Sequence, residues 1–418
     1  MSERPRVLRP NRAQLEFRPV DLEGLLPEDH RARAVWDFVS GLDLSAWYEE
    51  IRSVEGEAGR PAIDPAILLA LWIYATVEGV GSARAIARLC EEHDAYRWIC
   101  GGVGVSYRTL AAFRVMHEEK LDGLLTQSVV QLVAADLVRL ERIAQDGVRV
   151  RASAGAASFR RRQRLRELER EVKERIASLR SELEDDPAAT SRRVKAARER
   201  AARERRERVK RALAKVQALG REKPSEKEGV RASTTDPEAR VMKMADGGFR
   251  PAYNVQMATA IAGQVVVGVE VTDSGSDAHQ LAPMLDQLER RYGERPRETL
   301  VDGGYATFDA IEAADARGCR PYAPPMKPRD PQRNPYRPLP NDSEAVARWR
   351  RRMGTPSAQR KYKDRASTAE CVNAQARNRG LLRFLVRGRA KVRCVSLLHA
   401  LTHNALRGLA LQQAREAA

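Results

Sequence analysis

The chain has 418 residues, of which 43% are hydrophobic, so it is long enough for two or three domains with a sizeable buried core. Its net charge of +17 and pI of about 10.0 favour a polyanionic partner, most simply nucleic acid, although an arginine-rich proteome would give part of this excess. No apolar run has the length of a membrane span, and the start, MSERPRVLRPNRAQ, lacks the apolar stretch of a signal peptide. We therefore expect a cytoplasmic, nucleoid-associated protein without a membrane partner. The five scattered cysteines fit reduced thiols.

The first part of the chain has the signals of short helices joined by tight turns. Asp64 is a good N-cap because Pro65 follows it at the first helical position, and Ser82 is the N-cap of the next helix, SARAIARLCEEH. A further helix is predicted in SYRTLAAFRVMHEEKL. The arginines expected on the surface of these helices are Arg84, Arg88, Arg108 and Arg114. The pattern suits a helix-turn-helix-like DNA-binding module, and an ordinary helical bundle fits it at least as well.

A strongly basic segment follows. Residues 159–222 contain 22 Lys and Arg against 12 Asp and Glu, a net charge of +10. Apolar residues recur there at spacings of three and four, at Leu165, Leu168, Val172, Ile176, Leu179 and Leu183. Pro187 interrupts this pattern, and a second helix carries its apolar residues at Val209, Leu213, Val216 and Leu219. We expect an antiparallel helical hairpin whose basic faces contact either DNA or, as charge runs more often do, only solvent.

Strand-like segments lie on both sides of this insertion. ERIAQDGVRVRAS (141–153) precedes it, and AYNVQMATAIAG and QVVVGVEVTDSG follow it as a β-hairpin. Two more short strands, in RETLVDGG and CRPYAPP, alternate with helices. This order predicts an α/β fold with an RNase H-like core, in which a mixed sheet is flanked by helices. An all-α N-terminal domain precedes the core, and the helical hairpin is inserted after its first strand.

Two acids are predicted to lie side by side at one edge of this sheet. Asp146 lies in the first strand and Asp302 ends the fourth, and these strands are adjacent and parallel in an RNase H-like sheet. Converging carboxylates repel one another unless a divalent cation lies between them, and Mg²⁺ prefers oxygen ligands and also binds phosphate. Two such ions stabilise the attacking and leaving oxygens of a phosphoryl displacement. Because a glycine follows each acid, each taken alone is equally well explained as a turn former.

A third acid is expected from the last helix of the core. The candidate is Glu370 in YKDRASTAECVNAQARNRG (362–380), and Asp364 and Glu344 are rivals. The run from Ser367 to Glu370 is also a capping-box pattern, so the glutamate could simply cap a helix.

Together these motifs resemble bacterial insertion-sequence DDE transposases, specifically the class with a Tyr-Arg-Glu-Lys signature around the glutamate. The resemblance covers nearly the whole chain. GRPAIDPAILLALWIYATVEGVGSARAIARL, AYRWICGG and SYRTLAAFR resemble the helical N-terminal domain of that family. DGVRVRASAG resembles its first catalytic strand, and LVDGGYAT resembles the strand of the second aspartate. DPEARVMK and AYNVQMA resemble the segments that resume the core, and YKDRASTAECVNAQAR followed by LLRFLVRGRAKV resembles the signature helix and its sequel.

The resemblance implies roles for six side chains. The acids that would bind two Mg²⁺ ions, or Mn²⁺ in their place, are Asp146, Asp302 and Glu370. Tyr362 and Arg365 match the tyrosine and arginine of the signature, and Arg377 stands where the family usually has lysine and can still hold a DNA phosphate. Four residues, rather than the commonest three, separate Arg365 from Glu370. On a continuous α-helix the extra residue turns the arginine by roughly 100° relative to the acid.

The implied activity is metal-dependent cleavage at the ends of the element, followed by strand transfer into target DNA. The implied partners are double-stranded DNA, as terminal inverted repeats and target, and a second copy of the chain on that DNA. Residues 327–418 support this because they carry a net charge of +15. The expected domains are a helical DNA-end-binding domain (1–125), the first part of the core (126–155), the hairpin (156–230), the rest of the core (231–395) and a C-terminal helix (396–418).

Three alternatives remain at this stage. A non-catalytic architectural protein would use the basic hairpin and the helical domain without needing the three acids. A stand-alone nuclease on the same fold would cut DNA without joining strands. A zinc site at His399 and His403, four residues apart on a predicted helix, lacks a Cys or Glu partner at suitable spacing, and a core or polar contact explains these histidines better.

Overall fold

The computed structural model of the chain describes residues 21–53, 61–185, 192–222, 229–328, 330 and 332–417. The expected break at Pro187 lies outside these residues, as do the first 20 residues of the chain. Within the described ranges, no helix is both long enough and apolar enough to cross a membrane.

The N-terminal region is helical, as predicted. Its helices are α1 (Arg31–Ser40), α2 (Ser45–Tyr48), α3 (Pro65–Val77), α4 (Ala83–Glu92), α5 (Asp94–Cys100), α6 (Tyr107–Met116) and α7 (Glu118–Ala134). The predicted N-caps are confirmed, because the side chains of Asp64 and Ser82 accept hydrogen bonds from the backbone N–H groups of Ala66 and Ala85. Helix α3 is apolar on every side and almost entirely buried, so it forms the centre of this region.

One surface arginine was predicted wrongly. The guanidinium group of Arg114 stacks on the ring of Trp72 at 4.8 Å and donates a hydrogen bond of 2.7 Å to the carbonyl of Gly81. Burial lowers the pKa of Arg114, and the side chain contributes to packing rather than to an exposed basic face.

The strands are β1 (Arg139–Arg151), β2 (Phe159–Arg161), β3 (Arg231–Ser233), β4 (Arg240–Lys243), β5 (Phe249–Ala262), β6 (Val266–Thr272), β7 (Glu298–Leu300) and β8 (Arg320–Tyr322). The main sheet runs β4-β5-β1-β7-β8, and β6 also pairs with β5. Strands β5 and β6 form the predicted hairpin, which turns at Gly263 and Gln264 with φ values of 89° and 55°. The sequence patterns did not predict β4, which pairs with the start of β5.

The parallel part of the sheet decides where the acids lie. Strand β1 pairs antiparallel with β5 and parallel with β7, and β7 pairs parallel with β8. The order β6-β5-β1-β7-β8 is therefore that of an RNase H-like sheet, with the first and fourth strands adjacent as predicted. Helix α10 (Leu281–Tyr292) connects β6 to β7, and helix α11 (Phe308–Ala316) connects β7 to β8. The apolar faces of both helices pack on the sheet.

The basic insertion forms the predicted pair of helices. These are α8 (Arg162–Asp185) and α9 (Arg192–Glu222), which pack against each other. Buried apolar side chains at helical spacing make their contact, at Leu165, Leu168, Val172, Ile176, Leu179, Val209, Val216 and Leu219. The two-stranded sheet of β2 and β3 closes the base of the hairpin.

The C-terminal third is helical, with α12 (Glu344–Met353), α13 (Pro356–Arg365), a π turn (Ala366–Glu370), α14 (Cys371–Asn378) and α15 (Arg389–Glu416). Helix α15 begins seven residues before the predicted C-terminal helix and packs on α1, α3, α6, α7 and β6. One hydrophobic cluster runs from Leu69 of α3 through Leu397 of α15 to Val150 of β1. The N-terminal helices and the sheet therefore share a core.

Candidate active site

Asp146 lies in the interior of β1, opposite Met257 of β5. The alternative that Asp146 and Gly147 form a turn is wrong, because Gly147 continues the strand. A Cβ atom on Gly147 would collide with the side chains of Asp277 and Gln256. The glycine is needed for this close approach and not for a turn.

Asp302 follows β7 by two residues and does not end it. Because Ala144 of β1 pairs with Leu300 of β7, the two acids lie two residues further along neighbouring parallel strands, at the same level. The Asp302 carboxylate also accepts a hydrogen bond of 2.7 Å from the backbone N–H of Gly304. Asp302 therefore stabilises the turn after the strand and also faces the neighbourhood of Asp146.

A buried polar network lies beside the two acids, and the sequence patterns did not reveal it. Asp277, in the loop after β6, accepts hydrogen bonds from the side-chain amides of Asn254 (2.7 Å) and Gln256 (2.8 Å). Gln256 in turn accepts bonds from the Tyr305 hydroxyl (2.5 Å) and from the Gln145 amide (3.0 Å). The sequence did contain a sign of this network. Asn254 and Gln256 are two residues apart on a mostly apolar strand, so their side chains point to the same face of the sheet.

The carboxyl of Asp146 is largely buried and lies near groups of both charges. Its oxygens accept hydrogen bonds from the Gly147 N–H (2.9 Å) and the Asn373 amide (3.0 Å). Burial raises the pKa of Asp146; Arg365 and the Gly147 N–H oppose this rise, and the charges of Asp302 and Asp277 add to it. A cation bound beside Asp146 would therefore reduce the repulsion between these carboxylates.

The signature segment forms one continuous helical rod that crosses the sheet edge. The π turn contains one residue more than an α-helical turn, so it absorbs the four-residue spacing between Arg365 and Glu370. The two side chains consequently face the same side, and the Arg365 guanidinium is 2.5 Å from the Glu370 carboxylate and 3.9 Å from that of Asp146. The expected rotation of about 100° is wrong for this reason.

Glu370 is near the other two acids but does not converge on them. Its side chain is 54% exposed and pairs with Arg365, which lies between it and Asp146. Among the described residues, no three His, Cys, Asp or Glu side chains are grouped closely enough to hold a metal ion. The capping-box alternative is wrong, because Ser367 lies inside the π turn and its hydroxyl donates to the carbonyl of Asp364 instead of accepting from a backbone N–H.

The rival acids lie elsewhere. Asp364 faces Arg142 at 3.7 Å, and Glu344 begins α12, where it pairs with Arg348 at 2.5 Å. Of the DNA-contact candidates, Tyr362 is half-buried beneath Arg365, whose guanidinium lies 5.8 Å from the ring centroid. Arg377 is exposed near the end of α14.

An ion cluster fixes α13 to the sheet. The buried carboxylate of Glu298 on β7 is 2.6 Å from both Arg142 of β1 and Lys361 of α13, and it accepts a 2.9 Å bond from the Tyr322 hydroxyl of β8. Burial alone would raise the pKa of Glu298, but the bonds from Lys361, Arg142 and Tyr322 outweigh it and lower the pKa to about 2. This cluster sets the position of the helix that carries Tyr362 and Arg365.

The two histidines of α15 belong to the helix packing. His403 makes a 2.7 Å hydrogen bond through Nε2 to the carbonyl of Gln264, and burial lowers the pKa of both His399 and His403 to about 4. No acid or cysteine within the described ranges completes a metal site with them.

The sheet order and the two neighbouring acids are typical of RNase H-like enzymes that act on nucleic acids. Two family models match the chain: residues 20–115 match the transposase domain (DUF772), and residues 226–405 match the transposase DDE domain. Comparison with curated proteins gives no match, and comparison with solved structures gives none. The two family matches show a transposase of the DDE type, a class that acts on DNA and generally uses divalent metal ions.

Proposed function

We propose that this transposase cleaves DNA at the ends of its element and transfers the freed strands into target DNA. The observation that carries the proposal is the register of β1 and β7, which brings Asp146 and Asp302 to the same level on adjacent strands. The helical rod with Arg365 and Glu370 passes over the same edge. Asp146, Asp302 and Glu370 are the proposed metal-binding acids.

The residues present fit a divalent cation. The donors are carboxylate oxygens, which Mg²⁺ and Mn²⁺ prefer. Burial is the main cause of the raised pKa of Asp146, and the charges of Asp302 and Asp277 add a repulsion that a cation relieves. We propose two Mg²⁺ ions, held by Asp146 and Asp302 with Glu370 completing the set after release from Arg365. When bound, the metal activates water and neutralises charge on the phosphate that is attacked.

The other residues of the site position the DNA. Arg365 carries its charge on a planar fork that matches a phosphate group, and Tyr362 packs beneath it. Arg377 is exposed on the same helical rod and offers a second guanidinium group. The proposed role of these residues is to hold the scissile phosphodiester and its neighbour in line with the acids, which lowers the entropic cost of reaction.

We propose that the partners are the terminal repeats and the target, both double-stranded DNA, and a second copy of the chain that holds the other end. The net charge of +15 over residues 327–418, which include the helical rod, supports DNA binding with a strong salt dependence. The proposed place of action is the cytoplasm, on the nucleoid.

The test replaces Asp302 by Asn, which keeps the shape of the side chain and removes its charge. A bound metal stabilises the transition state by several kcal/mol, so we expect cleavage of DNA from the ends of the element to fall at least about a hundredfold with Mg²⁺. Asp309→Asn, on the exposed first turn of α11, is the control and should cleave like the parent protein.

Gel analysis of end-labelled fragments separates the outcomes. Equal cleavage by Asp302→Asn and the parent would refute the assigned site. Cleavage without joining to a target would show a nuclease, and binding without any cleavage would show an architectural protein.

A further inference from the structure

A basic groove separates the inserted hairpin from the body of the protein. It has a volume of about 660 Å³ and lies between α9 and the start of α15. Its α9 wall carries cationic side chains at Arg200, Arg203, Arg208 and Arg211, and its other wall carries Arg387 and Lys391. The positions on α9 are three to five residues apart, so they form one stripe along the helix, facing away from the buried contact with α8.

The acids in the groove are already engaged. Asp236 and Glu238 accept hydrogen bonds from the backbone N–H groups of Gly388 (3.2 Å) and Arg389 (2.9 Å). Glu204 pairs with Arg208 at 3.9 Å, and Glu207 pairs with Lys210 at 3.4 Å. Among the residues that the structure describes, Arg200, Arg211 and Lys391 have no acidic partner within 4.0 Å. The groove lining has six cationic and four acidic side chains, a net charge of +2, and its excess positive charge lies at these unpaired cations.

The hairpin is held in place at its base, so the groove is already formed. Lys215 of α9 is 2.5 Å from Asp273, in the loop after β6. The hydroxyl groups of Ser158 and Ser233 lie 2.7 Å apart across the β2–β3 base. A preformed cationic surface loses little conformational entropy when it binds an anion.

The chain links the helical rod to the groove, because the segment after α14 ends at Arg387 and Gly388 on the groove wall. The segment after α14 runs alongside the end of β1, where the backbone N–H of Arg151 bonds to the carbonyl of Leu382 at 3.2 Å. Arg387 then donates a 3.1 Å bond to the carbonyl of Ser153, two residues beyond β1. Asp146 lies in the interior of β1, seven residues before Ser153, which is about 23 Å along an extended strand. Duplex DNA rises about 3.4 Å per base pair, so roughly seven base pairs cover this distance.

We propose that this groove binds the sugar–phosphate backbone of duplex DNA flanking the cleavage point. The proposal rests on the proposed function. Arg200 and Arg211 are eleven residues apart, which is about 16 Å along the helix, long enough to follow several successive phosphates at 3.4 Å rise each. The inserted hairpin is then a fixed clamp on DNA beside the site.

The test removes two groove charges by Arg200→Gln with Arg211→Gln. Arg166→Gln with Arg170→Gln is the matched control, because these exposed arginines of α8 do not line the groove. Fluorescence anisotropy with a labelled duplex from the element end, in EDTA and over a series of KCl concentrations, gives Kd and its salt slope. We expect the groove pair to weaken binding roughly tenfold and to reduce the slope by about 2, while the control pair changes Kd less than twofold.

An unchanged Kd and slope for the groove pair would overturn the proposal, and so would an equal loss for the control pair. Lys391→Gln, on the opposite wall, provides a second variant, and an unchanged melting curve shows that each variant is folded. Hydroxyl-radical footprinting should show lost protection beside the cleavage point and kept protection at it. If the groove pair weakens DNA binding as expected but the parent protein never cleaves DNA, the proposed function alone is refuted. If the parent cleaves DNA and the groove pair binds it as tightly as the parent, the groove proposal alone is refuted.

Discussion

Among single residues, Gly147 has a role in the folded protein that its local sequence motif does not predict. An aspartate followed by a glycine is a common turn signal, but here the pair lies inside a strand. The glycine is required because the side chains of Asn254, Gln256 and Asp277 fill the space that a Cβ atom would occupy. Those side chains come from β5 and from the loop after β6, so no local pattern could reveal the need.

Glu298 gives a residue-scale prediction about pH. Glu298→Gln should lower the free energy of unfolding by about 2 kcal/mol at pH 7, because it removes the charge that Arg142 and Lys361 share. Since folding lowers the pKa of Glu298 from 4.5 to about 2, its contribution is fully present above pH 4.5 and disappears as the pH falls toward 2. The difference between parent and variant should shrink over that window.

Urea unfolding at a series of pH values measures this difference. Glu141→Gln, an exposed acid on the same strand as Arg142, is the control and should change stability by less than about 0.5 kcal/mol. A difference between Glu298→Gln and the parent that stays constant from pH 7 to pH 2.5 would show that the ion cluster does not contribute as inferred.

Among the secondary-structure elements, the π turn explains how this chain accommodates one residue more than the usual signature has between its arginine and its glutamate. An extra residue inside an α-helix would rotate everything after it, yet Arg365 and Glu370 remain paired at 2.5 Å. The turn of Ala366–Glu370 takes up the extra residue locally, and both flanking helices keep their contacts with the core.

Deleting Ser367 should therefore convert the π turn into a regular α-helical turn. Arg365 and Glu370 would then be four residues apart and still face one side. We expect the free energy of unfolding to change by less than about 1 kcal/mol and cleavage at the element ends to persist. Both are measured on the purified variant, by chemical unfolding and by the cleavage assay.

The control is an alanine inserted after Ser367, which adds a second extra residue. It should rotate the acid by about 100° relative to Arg365 and abolish cleavage. If the deletion reduced cleavage as much as the insertion, the π turn itself would be required for activity. It would then do more than accommodate one extra residue.

At the scale of the whole molecule, α15 joins the N-terminal helices to the sheet. The side-chain amide of Asn404 bonds to both the N–H and the carbonyl of Val266 at 2.8 Å, which fixes the helix to β6. The same helix packs on α3 and α7 from its other faces. The two regions should therefore unfold together.

Asn404→Leu should lower the free energy of unfolding by about 3 kcal/mol, because it leaves two backbone groups of Val266 buried without partners. Hydrogen exchange followed by mass spectrometry should then show α3 and β5 losing protection equally. Gln413→Leu, exposed on the same helix, is the control and should leave both unchanged. Faster exchange in β5 with unchanged α3 would mean that the N-terminal region folds independently.

Sequence patterns alone predicted the order of the main helices and strands, the helix caps at Asp64 and Ser82, the β5–β6 hairpin, and the adjacency of the first and fourth strands of the core. They did not predict β4, and they placed Asp302 at the end of a strand that stops two residues before it. The correct predictions depend on local propensity, on hydrophobic periodicity and on a strand order typical of a known fold, all of which are visible along the chain. The polar side chains of β5 were visible too, but their partners at Asp277 and Tyr305 come from distant segments.

The pairing of Arg365 with Glu370, the partial burial of Arg114, and the groove between the hairpin and α15 became apparent only in the folded structure. Each depends on contacts between segments far apart in the chain, or on a backbone change that one extra residue forces within a packed helix. Packing and charge compensation select among the conformations that local sequence allows, and they act only once the chain is folded.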